Sequence, residues 1–289
     1  MINAYPFGFY LGPVHITGFG IMMMLAFLVG GWIIDRELRR HGFASDYAGD
    51  MIFGAVIGGI IGAKLWFAAL PGHGIVTLTD RGGLVFYGGL VGGTLGVILN
   101  GWRRRVPIRW TAQLAAPALA AAYAIGRVGC FVVGDDYGVP TTLPWGVAFP
   151  QGMPATTAQN LRAFNVAIPD GVSATTVLAV HPTQLYEVAL MLIVFALLWR
   201  WRTSMRGTGW LLGAYLVMAG AERFAIEFLR AKDDRYLPAG LSVAQLASVG
   251  VVIVGAVLIA RLSRLVPETP GDWLLRGGGS SNVRVPERT

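Results

Sequence analysis

Residues 53–64 read FGAVIGGIIGAK and residues 86–99 read FYGGLVGGTLGVIL. Neither stretch alternates apolar and polar positions, so neither suits a strand of a porin-like barrel; both are continuous apolar runs with small residues at spacings of three and four. In a bilayer that spacing predicts helices whose backbones approach closely. Working outward, comparable runs lie at roughly 14–34, 48–70, 84–101, 110–126, 185–199, 209–228 and 241–260, near the ~20 residues a helix needs to cross a membrane. Each is bounded by charge, Pro or Gly. The whole chain of 289 residues agrees, with 54% hydrophobic and 13% charged residues and a mean hydropathy of +0.58. A soluble domain carries roughly 25% charged residues. The composition therefore excludes a soluble globular class and predicts an all-α integral membrane protein of about seven transmembrane helices.

The net charge of +7 could point to nucleic acid, but the basic residues sit in short clusters between apolar runs. Arg36, Arg39 and Arg40 fill the first connection, Arg103, Arg104, Arg105 and Arg109 the third, Arg200, Arg202 and Arg206 the fifth, and further arginines the C-terminal tail. The alternate connections hold few. This is the positive-inside pattern, and it predicts a multi-pass protein with its N-terminus outside and its C-terminus in the cytoplasm, without a nucleic-acid partner. The start, MINAYPFGFYLGPVHITGFG, has neither a basic n-region nor a small-residue cleavage site, so the first span is read as retained. The single cysteine, Cys130, rules out a disulfide within the chain and a cysteine-based zinc site, and the four histidines are far apart in sequence; no metal site is predicted.

Residues 1–265 are read as one polytopic membrane domain and 266–289 as a polar, Gly-rich, disordered cytoplasmic tail. Within the first, residues from about 127 to 184 contain Pro140, Pro144, Pro150, Pro154, Pro169 and Pro182, too broken for a span and too long for a turn, and are expected to form an external lobe between spans four and five.

Ionisable residues in or beside spans are costly and mark functional sites by default. Given the orientation, the external ends of spans three to six carry Tyr87 with Gly88 and Gly89; Arg127 with Asp135 and Asp136; His181 with Gln184, Tyr186 and Glu187; and Arg223, Glu227 and Arg230. The last three stand at i, i+4 and i+7, one helix face, where a glutamate between two arginines can hold both guanidinium planes. His181 precedes Pro182, which suits a helix start. In GRVGCFVVGDDYG at 126–138 the glycines are expected to turn the backbone after the membrane. Two arginines oriented by carboxylates at an outer-leaflet site suit the phosphate of a lipid headgroup, whether that lipid is bound, moved or cut.

GRVGCFVVGDDYG at 126–138, PWGVAFP at 144–150, HPTQLYE at 181–187, RFAIEFLR at 223–230 and GGLVFYGGLVGG at 82–93 occur in an order that resembles the bacterial phosphatidylglycerol:prolipoprotein diacylglyceryl transferases. The resemblance extends over roughly residues 10 to 262. It implies an enzyme of the bacterial cytoplasmic membrane that moves the diacylglyceryl group of phosphatidylglycerol onto the lipobox cysteine of a prolipoprotein signal peptide, releasing glycerol phosphate, with no metal or soluble cofactor. It further implies that Arg127 and Arg223 hold the phosphate, that His181, Gln184, Tyr186 and Glu187 shape the pocket or support those arginines, that Glu227 orients Arg223, and that Gly138 keeps the signature loop tight; Gly88, Gly89, Cys130 and Arg230 are further candidates for lipid binding. Where the family usually has Asn, Glu, a His before two glycines, and Tyr, this chain has Cys130, Asp135, Tyr87 and Phe19. A phenol accepts protons poorly at neutral pH, so either Asp135, Asp136 or His181 takes the thiol proton in its place or the thiol needs little assistance. The competing readings are a divergent transferase with another acceptor and a non-catalytic lipid-binding or transport protein. A transporter's repeated halves are not visible in the sequence.

Overall fold

A computed structural model describes residues 2–42, 46–70, 74, 85–204, 206–232 and 240–268. Its long helices are α1 (Gly18–Arg40), α2 (Asp46–Ala68), α3 (Phe86–Arg103), α4 (Ile108–Val133), α6 (Thr183–Trp201), α7 (Trp210–Ile226) and α8 (Val243–Leu262), with a short α5 at Ala158–Ala163. Among the described residues α1, α2, α4, α6 and α8 are long and apolar enough to cross a membrane, so the protein is a multi-pass membrane protein of mostly helical build. Helices α3 and α7 have 18 and 17 residues.

Helix α1 begins after Thr17, whose Oγ1 accepts the Gly20 amide at 3.1 Å, and ends on Arg39 and Arg40, which complement the negative end of its dipole. Residues 14–17, expected to open the first span, instead form strand β3 (Val14–Thr17), which pairs antiparallel with β2 (Gly8–Leu11). The reason is local: Gly12 takes a φ of +59° in Leu-Gly-Pro-Val, a turn that closes a hairpin before the helix can start.

The chain divides into two compact units. One comprises residues 30–118, 204–210 and 262–289, of which 43–45, 71–73, 75–84, 205 and 269–289 lie outside the described residues. The expected disordered tail therefore falls mostly there. Its first residues are held, since the Glu268 amide donates to Thr208 Oγ1 at 2.9 Å. At the centre of this unit α2 and α3 run antiparallel with glycines in register: Gly54 faces Gly96, Gly58 faces Gly92 and Gly62 faces Gly88. A Cβ on Gly92 would strike the Gly58 carbonyl oxygen and come within 2.8 Å of Gly62 Cα. The close packing predicted from the sequence is thus present, with each helix supplying the other's partner. Gly92→Leu is expected to separate the pair, at the upper end of the ~1–3 kcal/mol typical of overpacking because backbone atoms are struck, read as a lowered melting temperature in detergent.

The other unit comprises residues 1–29, 119–203 and 211–261. The proline-rich stretch folds into a lobe with its own core of Tyr137, Val147, Phe149, Leu161, Val180 and Ala231. The N-terminal strand β1 (Ile2–Asn3) pairs in parallel with β4 (Val147–Ala148) beside it. Thr157 caps α5 through Oγ1 to the Asn160 amide.

Candidate functional site

Helix α4 continues to Val133, so Arg127 lies within a helix and Gly126 and Gly129 do not turn the chain as expected. Gly129 is needed for packing, since a Cβ there would lie 3.0 Å from Met22 Cβ and 3.3 Å from Phe19 Cδ2. The reversal comes at Gly134 (φ +69°) and Asp136 (φ +55°), a conformation that glycine takes freely and aspartate tolerates. A Cβ on Gly134 would lie 2.8 Å from the Phe149 ring.

Two returning segments clamp this reversal. The Gly138 amide donates to the His181 carbonyl at 2.8 Å, and the Val139 amide to the Leu229 carbonyl at 2.8 Å. A Cβ on Gly138 would lie 2.6 Å from the Leu229 oxygen and 2.8 Å from His181 Cβ, which explains glycine there by close approach of three chains. Helix α6 begins as expected after His181-Pro182, and its first turn holds the loop: Thr183 Oγ1 donates to the Asp136 carbonyl at 2.9 Å and Gln184 Nε2 to the Asp135 carbonyl at 2.5 Å. His181 Nδ1 lies 3.2 Å from the Tyr186 hydroxyl, which also accepts Trp145 Nε1 at 2.9 Å.

On this frame the charges form one linked series. Glu187, with no side-chain exposure, places Oε2 at 2.5 Å from Arg127 Nε and accepts the Tyr123 hydroxyl at 2.6 Å. Arg127, 12% exposed, donates through Nη1 to Asp136 Oδ2 at 2.9 Å. Asp136 Oδ1 accepts Arg230 Nη2, and Arg230 Nε lies 3.9 Å from Glu227 Oε2. Glu227 accepts Arg223 through Oε2 and Ser242 Oγ through Oε1, the latter at 2.9 Å. Ser242 is in turn half of a capping box: its Oγ accepts the Gln245 amide at 3.1 Å while Gln245 Oε1 accepts the Ser242 amide at 3.0 Å. The start of α8 thereby fixes Glu227, and Glu227 fixes Arg223.

The expected single helix face for Arg223, Glu227 and Arg230 is only partly present. Helix α7 ends at Ile226, Glu227–Leu229 form a 3-10 turn, and Arg230 is extended. The tighter turn aims Arg230 at Asp136 rather than along the helix. Outside the spans, the Arg230 and Arg127 guanidinium groups hold the Asp136 carboxyl below its usual range, against the effect of burial. Burial, with the Asp136 charge beside it, pushes Asp135 up to about 6. Burial lowers His181.

Cys130 is buried, with Sγ 3.7 Å from Arg127 Nη1. Cys130, Asp135 and Asp136 bring one ligand atom each within 4.8 Å of one another. Both Asp136 oxygens already face guanidinium groups, so the surroundings favour an anion over a cation. Tyr87, Gly88 and Gly89 belong to the other unit. There Gly88 packs against Gly62 and Trp66, Gly89 lies beside Gly59 and Ala63, and Tyr87 is exposed with its ring edge-on to Phe86. Helix packing requires glycine at 88, whereas a Cβ at 89 would lie 3.6 Å from the Gly59 oxygen and 3.7 Å from Ala63 Cβ, ordinary contact distances. Sequence reasoning passed over Tyr123, Glu222, Ser242 and Gln245. An ionisable or hydroxyl side chain inside an apolar run was the available signal for the first two, and the Ser-x-x-Gln spacing at 242–245 for the others.

Fold and site together define a multi-pass membrane protein with a partly buried arginine–carboxylate network where one helix, a loop and two further helix ends meet. The family model described as prolipoprotein diacylglyceryl transferase matches residues 6–261. A phosphatidylglycerol–prolipoprotein diacylglyceryl transferase of Nitratidesulfovibrio vulgaris is 31% identical over 97% of this chain and 97% of its own length. That of Clostridium tetani is 31% identical over 86% of this chain and 94% of its own length, and that of Bordetella bronchiseptica 30% identical over 87% and 92%. The chain belongs to the prolipoprotein diacylglyceryl transferase family.

Proposed function

We propose that this protein transfers the diacylglyceryl group of phosphatidylglycerol to the lipobox cysteine thiol of a prolipoprotein, releasing glycerol phosphate. The observation that carries this reading, beside family membership, is the series Glu187–Arg127–Asp136–Arg230–Glu227–Arg223. Three planar donors, held in fixed orientation by carboxylates, suit a phosphodiester whose charge grows as its carbon–oxygen bond breaks. Arg223 and Arg127 hold the phosphate. Arg230, Asp135, Gln184, Glu187 and Glu227 set their positions, and His181, Tyr186 and Gly138 keep the loop against α6. Cys130 sits beside Arg127. The protein spans the bacterial cytoplasmic membrane seven times, N-terminus outside. The lipid enters from the outer leaflet, and the signal peptide lies in the bilayer with its cysteine at the external surface. The chemistry needs no metal or soluble cofactor, since a thiolate displaces a phosphate that the arginines stabilise.

Purified full-length protein in detergent, given phosphatidylglycerol and a lipobox peptide, is expected to add a diacylglyceryl mass to the peptide by mass spectrometry. A peptide with serine in place of cysteine should gain nothing. Absence of any gain from folded protein that still binds the lipid would overturn the reading.

A further inference from the structure

Arg127, Arg223 and Arg230 are matched one for one by Glu187, Glu227 and Asp136, each of which has at least one oxygen on a guanidinium group. Charge balances among these six, a count that leaves out Asp135, whose Oδ1 has no hydrogen-bond partner. Glu222, on α7 beside Arg223, is a further carboxyl: it is 7% exposed, and neither of its oxygens has a hydrogen-bond partner. It interacts electrostatically with Glu187 on α6, Arg127 on α4, Arg223 on its own helix and Arg230 beyond it, and with the neutral phenols of Tyr123 and Tyr215. A carboxyl buried beyond what neutrality needs, and without a donor, is costly and calls for a use. A proton reaching Asp136 or Glu227 would have to displace a donor, since both oxygens of each are engaged. Glu187 keeps Oε1 without a partner, but its Oε2 already holds both Arg127 and Tyr123.

We propose that Glu222 takes the proton of the acceptor thiol, an inference that rests on the function proposed above. The sulfur–hydrogen bond breaks with the proton passing to Glu222 as sulfur bonds to the glyceryl carbon, and the carbon–oxygen bond to phosphate breaks with its electron pair leaving on glycerol phosphate. The leaving phosphate gains one negative charge as Glu222 loses one, so the charge facing the three arginines stays constant through the step. The proton then returns to solvent. This assigns to α7 the acid–base task for which Tyr87 is chemically unsuited.

The test compares two lipobox peptides, one with cysteine and one with selenocysteine, whose selenol is already ionised at neutral pH and needs no proton acceptor. Wild-type protein should act on both; failure on both would overturn the function itself and this inference with it. Glu222→Gln should lower transfer to the cysteine peptide by about 10²-fold or more, as expected for loss of a general base. Its transfer to the selenocysteine peptide should stay within about tenfold of wild type, with the lipid KM little changed. Glu222→Asp should recover part of the thiol reaction. An equal loss on both peptides, wild-type activity on cysteine, or a thiol-selective loss in Asp135→Asn and not in Glu222→Gln would overturn the assignment. Wild-type protein gives a second test that does not depend on a variant folding. Transfer to cysteine should decline on acidification through a single protonation that transfer to selenocysteine does not show, and coincident profiles would overturn the proposal.

Discussion

Arg223→Ala is expected to lower diacylglyceryl transfer by at least about 10²–10³-fold, the usual loss when one preorganised donor to a developing anion is removed. Arg223 is the cleaner of the two phosphate arginines to remove. Its side chain is 26% exposed and its ion-pair partner Glu227 keeps a second bond, from Ser242 at 2.9 Å. Deleting it leaves no carboxylate stranded, so the variant should insert and fold while the reaction stops. Arg223→Lys restores charge without the planar fork and should recover only part of the rate. The same mass measurement on the lipobox peptide decides it, and a correctly inserted Arg223→Ala protein with wild-type transfer would remove Arg223 from the mechanism. Arg127→Ala should also abolish transfer, but there loss of structure contributes, because Arg127 is 12% exposed and its partner Glu187 is fully buried.

Glu187→Ala carries the largest expected effect on stability. One oxygen of Glu187 serves both the Arg127 guanidinium at 2.5 Å and the Tyr123 hydroxyl at 2.6 Å, and the side chain has no exposure. Removing it leaves a mostly buried cation with only Asp136 and weaker contacts, and breaking a buried pair in this way costs ~3–5 kcal/mol. Tyr123→Phe removes one hydrogen bond and leaves the ion pair, so it should cost only ~1–2 kcal/mol. Thermal unfolding of the two variants in the same detergent should therefore show Glu187→Ala well below Tyr123→Phe and Tyr123→Phe slightly below wild type. Equal melting temperatures would mean that the pair contributes nothing to the fold.

Much of the architecture was legible because it follows from local properties. The expected runs at 48–70, 185–199 and 241–260 fall on α2, α6 and α8, since apolar length and bounding charges are properties of each segment alone. The hairpin at 8–17 was missed because Val14–Thr17 continues an apolar run, and a turn that depends on one left-handed glycine leaves no mark on hydropathy. The extension of α4 to Val133 was missed for a related reason: the glycines of the signature suggest a turn, yet Gly129 serves a close approach by Phe19 and Met22, which lie more than a hundred residues away.

The sequence by itself determined that this is a helical membrane protein, that its helices would pack through glycine, and that Arg127, Arg223, Glu187, Glu227 and Arg230 are its unusual residues. Periodicity states which residues share a face and cannot state what that face meets. Tertiary structure alone decided that Asp136 joins Arg127 to Arg230, which lies 94 residues beyond Asp136, that Tyr123 and Glu187 meet across 64, and that Glu222 is left with no donor. Where side chains are buried from water, which charge finds a partner and which does not is fixed by the packing of distant helices.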